Sequence, residues 1–225
     1  MSTASQAADR IRVHLARVSQ LREQASAAGL AQAVHQVKQL QAARFRATYT
    51  DFLADTRHAP ATRFFLEELY GEHDFRERDR QFGRIASAIE RLFPEAVAQL
   101  AVDLAETHAL TETLDHQLAN HWLDQDPATP AERRYIQCWR LTGQHAERER
   151  QLVVVLHMGT ELQRLTRNAS LRMGLRMMRG PANAAGMGAL QRFLEAGFDT
   201  FGQLARQRGG VEQFLATIEQ RERAL

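Results

Sequence analysis

The chain has 225 residues, Lys plus Arg numbering 29 and Asp plus Glu 27, for a formal net charge of +2. Hydrophobic residues at 44% and charged residues at 25% are ordinary for a soluble globular protein, and they exclude wholesale disorder, a collagen-like repeat and a disulfide-built scaffold. No apolar run reaches about 18 residues, so no transmembrane helix is expected. The single cysteine, Cys138, excludes an intramolecular disulfide and points to a reducing cytoplasm.

Met1 to Gln24 lacks the continuous apolar stretch of a secretory signal. Its Arg-bearing, acid-poor composition also fits an organelle transit peptide, but a helical pattern runs through it into the next segment. The first helix is predicted from Ala7 to Ala28, with Ile11, Leu15, Val18, Leu21 and Ala25 at steps of four and three. Such a narrow apolar stripe suits a helical hairpin or coiled coil. Gly29 breaks it, and a second helix follows to about Asp55, with Leu30, Val34, Val37, Phe45 and Phe52 inward. Pro60 opens a short helix over 63–70, closed by Gly71. Asp74-Phe75-Arg76-Glu77 has the form of a capping box, leading a helix with Phe82, Ile85, Ile89, Leu92 and Phe93 on one side. Pro94 restarts the chain into a long helix to about Leu123. Thr129-Pro130-Ala131-Glu132 reads as a second capping box, before a helix holding Tyr135, Cys138 and Trp139 and ending at Gly143. One long helix is predicted from Ala146 to Arg179, stopped by Gly180-Pro181. Another carries Leu190, Phe193, Leu194, Gly197, Phe198 and Phe201, and a last one runs from Val211 to Arg223. No stretch alternates with period two. The expected fold is all-α: a multi-helix bundle of eight or nine helices. Residues 1–56 form an N-terminal hairpin and 57–225 the bundle, in one continuous domain without a separating linker.

Charge is uneven along the chain. Residues 1–46 carry a net +5, 47–163 a net −8 and 164–179 a net +5, while 180–225 balance. The basic segments either pair with the acidic middle or bind anions.

The segment Arg63-Phe64-Phe65-Leu66-Glu67-Glu68-Leu69-Tyr70-Gly71 resembles the signature of the FFLEELY motif proteins, a bacterial family. Asp79-Arg80-Gln81-Phe82, the stretch 105–115 and Met178-Arg179-Gly180-Pro181-Ala182 look similar too, so the resemblance spans about residues 45–225. It implies a bacterial helical protein and assigns no catalytic role. Physically, Arg63, Glu67 and Tyr70 fall on one side of a helix whose other side is the apolar arc Phe64, Phe65, Leu66 and Leu69. This is either a packing helix with Glu67 paired to Arg63, or a wall that places Glu67 or Glu68 in a partly buried site.

The helix from Pro94 carries an inward stripe of Val97, Leu100, Ala101 and Leu104, then Leu118 and Trp122. At 100° per residue the same face passes through His108, Thr111 and Asp115, with Glu112 at its edge. Buried polar groups need partners, so this face implies a satisfied structural network, a ligand pocket using His108 as acid or base, or a metal site. No Glu-x-x-His pair of the di-iron type occurs, and no metal is assigned. Candidate catalytic residues are His108, Asp115 and Glu67, and candidate ligand-binding residues are Arg63, Glu67, Glu68, Thr111 and Glu112. Arg172, Arg176 and Arg179 share a face near a helix C-terminus and are candidate anion-binding residues. No helix-turn-helix or other specific DNA-reading motif is present. The foremost expectation is a non-enzymatic interaction module whose N-terminal hairpin joins a second copy or a partner helix through its apolar stripe. A ligand- or metal-binding bundle centred on His108 and Asp115, and an anion or nucleic-acid binder using Arg164 to Arg179, are the alternatives.

Overall fold

A computed structural model describes residues 5–69 and 75–225. These residues form twelve α-helical segments and no strand. They are α1 (Ser5–Ala27), α2 (Ala31–Thr48), α3 (Thr50–Ala54), α4 (Ala59–Phe64), α5 (Arg76–Leu92) and α6 (Glu95–Asp124), then α7 (Ala131–Thr142), α8 (His145–Thr166), α9 (Ala169–Met177), α10 (Arg179–Ala184), α11 (Gly188–Ala205) and α12 (Gly210–Arg223). The all-α expectation holds.

The number exceeds eight or nine because two expected helices break in two and α10 forms a separate segment. The second breaks at Tyr49, where the Thr50 hydroxyl donates to the carbonyls of Arg46 (2.9 Å) and Ala47 (3.1 Å), competing with the backbone ladder. The Pro60 helix continues into a wider π-helical turn, Phe65–Leu69. The expected helix over 146–179 breaks at Asn168, whose side chain caps α9 by accepting from the amides of Ser170 (3.0 Å) and Leu171 (3.2 Å). Gly180-Pro181 does not stop a helix but lies in the first turn of α10, where proline has no intrahelical N–H to lose.

α1 ends as its sequence implies. Gly29 adopts φ +70°, and the amides of Leu30 and Gly29 return to the carbonyls of Ala25 (2.7 Å) and Ser26 (3.3 Å). The Thr129 capping box does not form. Pro130 itself takes the N-cap position with extended backbone, and no side chain caps α7. The Asp74 capping box, Tyr70 and the Gly71 stop lie outside the described residues.

α6 is the axis of the molecule. About 45 Å long by its residue count, it packs against α1, α2, α5, α7 and α8. It is therefore buried on several sides, not along one stripe. Ala98, Val102, Ala105, Ala109, Leu118 and Ala119 are buried, whereas Val97, Leu100 and Leu104 are only partly so. The alanines let neighbouring helices approach closely.

The α1 stripe, Ile11, Leu15, Val18, Leu21 and Ala25, is buried, and the helix lies chiefly on α6 and α5. That stripe is core, not a free face for a partner helix. The main core continues from it to Ile218 and includes an aromatic cluster. His58 and Phe52 stack at 4.5 Å, and Phe52 and Phe214 at 5.4 Å, while Phe65 and Phe201 flank Phe214. A smaller core joins α2, α6 and α7 through Val37, Leu118, Trp122 and Cys138. Leu92 and Phe93, expected inward, are exposed because α5 ends there and Phe93 turns to extended backbone.

Candidate functional site

α6 presents polar groups over two stretches of its length. On the first, His108 Nε2–H donates to Asp79 Oδ2 on α5 (2.9 Å), which also accepts from Arg22 Nη1 on α1 (2.8 Å). Glu112 Oε1 accepts from Arg22 Nη2 (3.1 Å) and from Lys38 Nζ on α2 (2.8 Å). Burial alone would raise the pKa of Asp79, but the His108 hydrogen bond and the nearby charges of His108 and Arg22 outweigh it and hold the carboxyl below 3.8. Glu112 is likewise opposed by burial and held below 4.5 by Lys38 and Arg22. Arg22 shows the converse: burial opposes its charge, yet Glu112 and Asp79 raise its pKa. The void beside His108 is about 20 Å³, room for about one water. His108 and Glu112 thus belong to a filled ionic network that ties α1, α2 and α5 to α6.

On the second stretch Asp115 lines a pocket of about 930 Å³ between α2, α6, α7, α8 and α12. Buried Phe45, Phe65, Leu114, Val155 and Ile218 supply apolar wall. Gln41, Thr111, Tyr135, Arg148 and Gln151 supply polar wall. Exposed Ala43, Glu132, Ile136, Arg140 and His145 stand at the rim. Asp115 is 1% exposed, and its Oδ1 accepts from Gln41 Nε2 (2.8 Å). Burial pushes its carboxyl up to about 6, against the pull of Lys38. Arg148 Nε donates to the carbonyl of Gly143 (3.0 Å), and its guanidinium lies 4.4 Å over the Trp139 ring. Burial lowers the pKa of Arg148 and raises that of Tyr135. Glu222 accepts from Arg44 Nη1 (2.9 Å) and from the Tyr49 hydroxyl (2.8 Å), which neutralises that side of the pocket.

The structure therefore separates the two groups that sequence places in one site. Asp115 borders the large pocket and His108 does not, because the two groups share a face of α6 but stand seven residues, about 10 Å, apart along it, where different helices pack. Thr111 borders both the void and the pocket; its hydroxyl donates to the Thr107 carbonyl (2.9 Å) and accepts from Gln151 Nε2 (2.6 Å). Arg63 and Glu67 are exposed and form no ion pair with each other among the described residues, since the π turn changes the side-chain phase. The Glu68 carbonyl accepts from Arg78 Nη1 (2.8 Å). None of these three lines the pocket. Arg172 Nη2 pairs with Asp199 (2.6 Å) and Arg179 with Glu195, so the fold itself supplies counter-charges to the basic face; Arg176 sits beside them on α9 and acts electrostatically on Glu195. Among the described residues no three or more His, Cys, Asp or Glu side chains converge as a metal-binding group.

Sequence reading missed Arg148, Gln41 and Gln151 as pocket residues. Arg148 lies in His-Ala-Glu-Arg-Glu-Arg-Gln, which looks like a solvated helix start. The i, i+4 pair Tyr135 and Trp139 was the available signal, and it read as core. Two further Asp–His pairs, Asp55–His58 (2.6 Å) and Asp103–His157 (2.7 Å), link residues that spacing alone did not connect functionally.

An all-helical chain with a preformed pocket beside an ionic clamp is the class that fold and site define. The chain belongs to a family described as a domain of unknown function (DUF8198), matched over residues 20–225. No curated protein and no solved structure matches it. No described helix is long and apolar enough to cross a membrane.

Proposed function

We propose that this protein is a small-molecule-binding helical module, with the pocket between α2, α6, α7, α8 and α12 as its site. The observation that carries the reading is the pocket itself: about 930 Å³, within the range of about 300–1,000 Å³ that small-ligand sites occupy. Mostly apolar walls with a few convergent polar groups suit an amphipathic molecule held by its body and oriented by its head. The foremost expectation from sequence, an interaction module, draws less support, because the α1 stripe it would use is buried in the core. The lone thiol of Cys138, fully buried, supports a cytoplasmic setting. The signature over 63–71 supports a bacterial lineage of the FFLEELY type.

The test is thermal shift and native mass spectrometry of the full chain against a library of small amphipathic molecules. Compounds that stabilise the protein are expected to lose that effect in Leu152→Trp, which fills the pocket from a partly buried position while circular dichroism stays helical. A library without one stabilising compound, or compounds that stabilise Leu152→Trp equally, would remove the proposal.

A further inference from the structure

Among the described residues, two polar atoms of the pocket residues have no hydrogen-bond partner: Oδ2 of Asp115 and Nη2 of Arg148. Both belong to side chains fixed by their other contacts. Asp115 is held through Oδ1 by Gln41, and Arg148 through Nε by Gly143 and through its face by Trp139. The two charges act on each other's titration, yet they make no ion pair within 4.0 Å. An unpaired buried donor or acceptor opposes folding until a partner satisfies it. One acceptor and one donor, opposite in charge and bordering the same pocket, therefore define a complement: a group that accepts from Arg148 and donates to Asp115.

Resting on the pocket reading above, we propose that the ligand is a molecule with a carboxylic acid or primary carboxamide head on an apolar body. Such a head carries an acceptor oxygen for Nη2 and a donor O–H or N–H for Oδ2 on one planar carbon. An amine satisfies Asp115 only and sets its charge against Arg148. A sulfate or phosphate satisfies Arg148 only and sets its charge against Asp115. Phe45, Phe65, Leu114, Val155 and Ile218 receive the alkyl or aryl body. The amide needs no proton. The acid needs one, shared between its own carboxylate and Asp115, and burial already lifts Asp115 to about 6, so that proton is at hand just below neutral pH.

Four probes with the same chain separate the cases: octanamide, octanoate, octylamine and octyl sulfate, titrated calorimetrically into the full chain at pH 5.5 and pH 8. Octanamide, which donates to the ionised Asp115, is expected to bind about fourfold more tightly at pH 8 than at pH 5.5, and octanoate about tenfold more tightly at pH 5.5 than at pH 8. The amine and the sulfate are expected to bind about tenfold more weakly than the amide. Asp115→Asn turns the acceptor into a donor, so octanoate should bind it at pH 8 as well as at pH 5.5. Arg148→Met and Arg148→Lys should weaken amide and acid together. Equal binding of all four probes, or preference for the amine or the sulfate, overturns the head-group assignment. So does silence from all four while a library compound still binds and is blocked by Leu152→Trp, and in that case the pocket survives. Silence from the probes and from the whole library ends both.

Discussion

Replacing Asp115 by Asn tests the electrostatics of the pocket on stability alone. The carboxyl is 1% exposed and titrates at about 6 in the folded chain, against 3.8 for the ordinary side chain. Because the folded value is the higher one, the neutral form is favoured by folding. The associated stability is fully present below pH 3.8 and is lost as pH rises through about 6. Each pH unit between the two values is worth about 1.4 kcal/mol, so the whole loss is about 3 kcal/mol. Asn keeps the acceptor that Gln41 uses and never ionises. Urea unfolding of both proteins from pH 3.5 to 8 should show near-equal stabilities at the acid end. A gap in favour of Asp115→Asn should then open between about pH 4 and 6 and stay flat at about 3 kcal/mol above that. In melting temperature the plateau corresponds to about 6–12 °C for a chain of this size. Subtracting one protein from the other cancels every other titrating group. A gap that does not vary with pH, or a variant less stable than the parent at pH 8, would refute the assignment of Asp115 as a buried carboxyl whose ionisation opposes folding.

Glu112→Ala should be the most damaging change in the ionic clamp, because Arg22 and Lys38 would be left partly buried without their shared acceptor; a loss of about 3–5 kcal/mol is expected by chemical denaturation, and less than about 1 kcal/mol would contradict it. The parent's own clamp stability, carried by carboxyls held below 3.8 and 4.5, should be full above about pH 4.5 and fade as pH falls further. Leu15→Glu should unfold the protein instead of dissociating an assembly, since Leu15 is 8% exposed in the core; circular dichroism showing a folded monomer would disprove that. Gly197→Ala should lower stability by about 1 kcal/mol, because a Cβ would lie 2.9 Å from Phe64 Cζ and overpacking outweighs the gain in helix propensity. Gly174→Ala meets nothing within 4 Å and should gain about 0.5–1 kcal/mol, so equal effects at the two sites in thermal melts would be inconsistent with this packing.

Much of the architecture is legible in the sequence because helices announce themselves by periodicity. The stripe from Ile11 to Ala25 and the stop at Gly29 set α1, and the Gly209-Gly210 break sets the start of α12 within one residue. Breaks made by single side chains are less legible. Thr50 and Asn168 interrupt their helices by local hydrogen bonds that an apolar pattern does not register. The site was half legible. A run of polar residues along the most apolar long helix correctly marked Asp115 as buried and in need of a partner. It did not reveal that different helices meet α6 at different points of its length, so one polar stripe serves two separate environments. Nor does sequence distinguish Arg148 from the other arginines around it; only the meeting of α7 and α8 sets it over Trp139.

The ionic contacts that fasten α6 to α1, α2 and α5 bear on the same rod, one to two turns before Asp115. A wall braced along its own length needs no help from the proposed ligand to find its shape, so the ordering entropy of Asp115 and Thr111 is spent during folding and not at each encounter. Association with such a rigid vestibule is limited chiefly by diffusion and entry, and differences between guests then fall on how long each one stays.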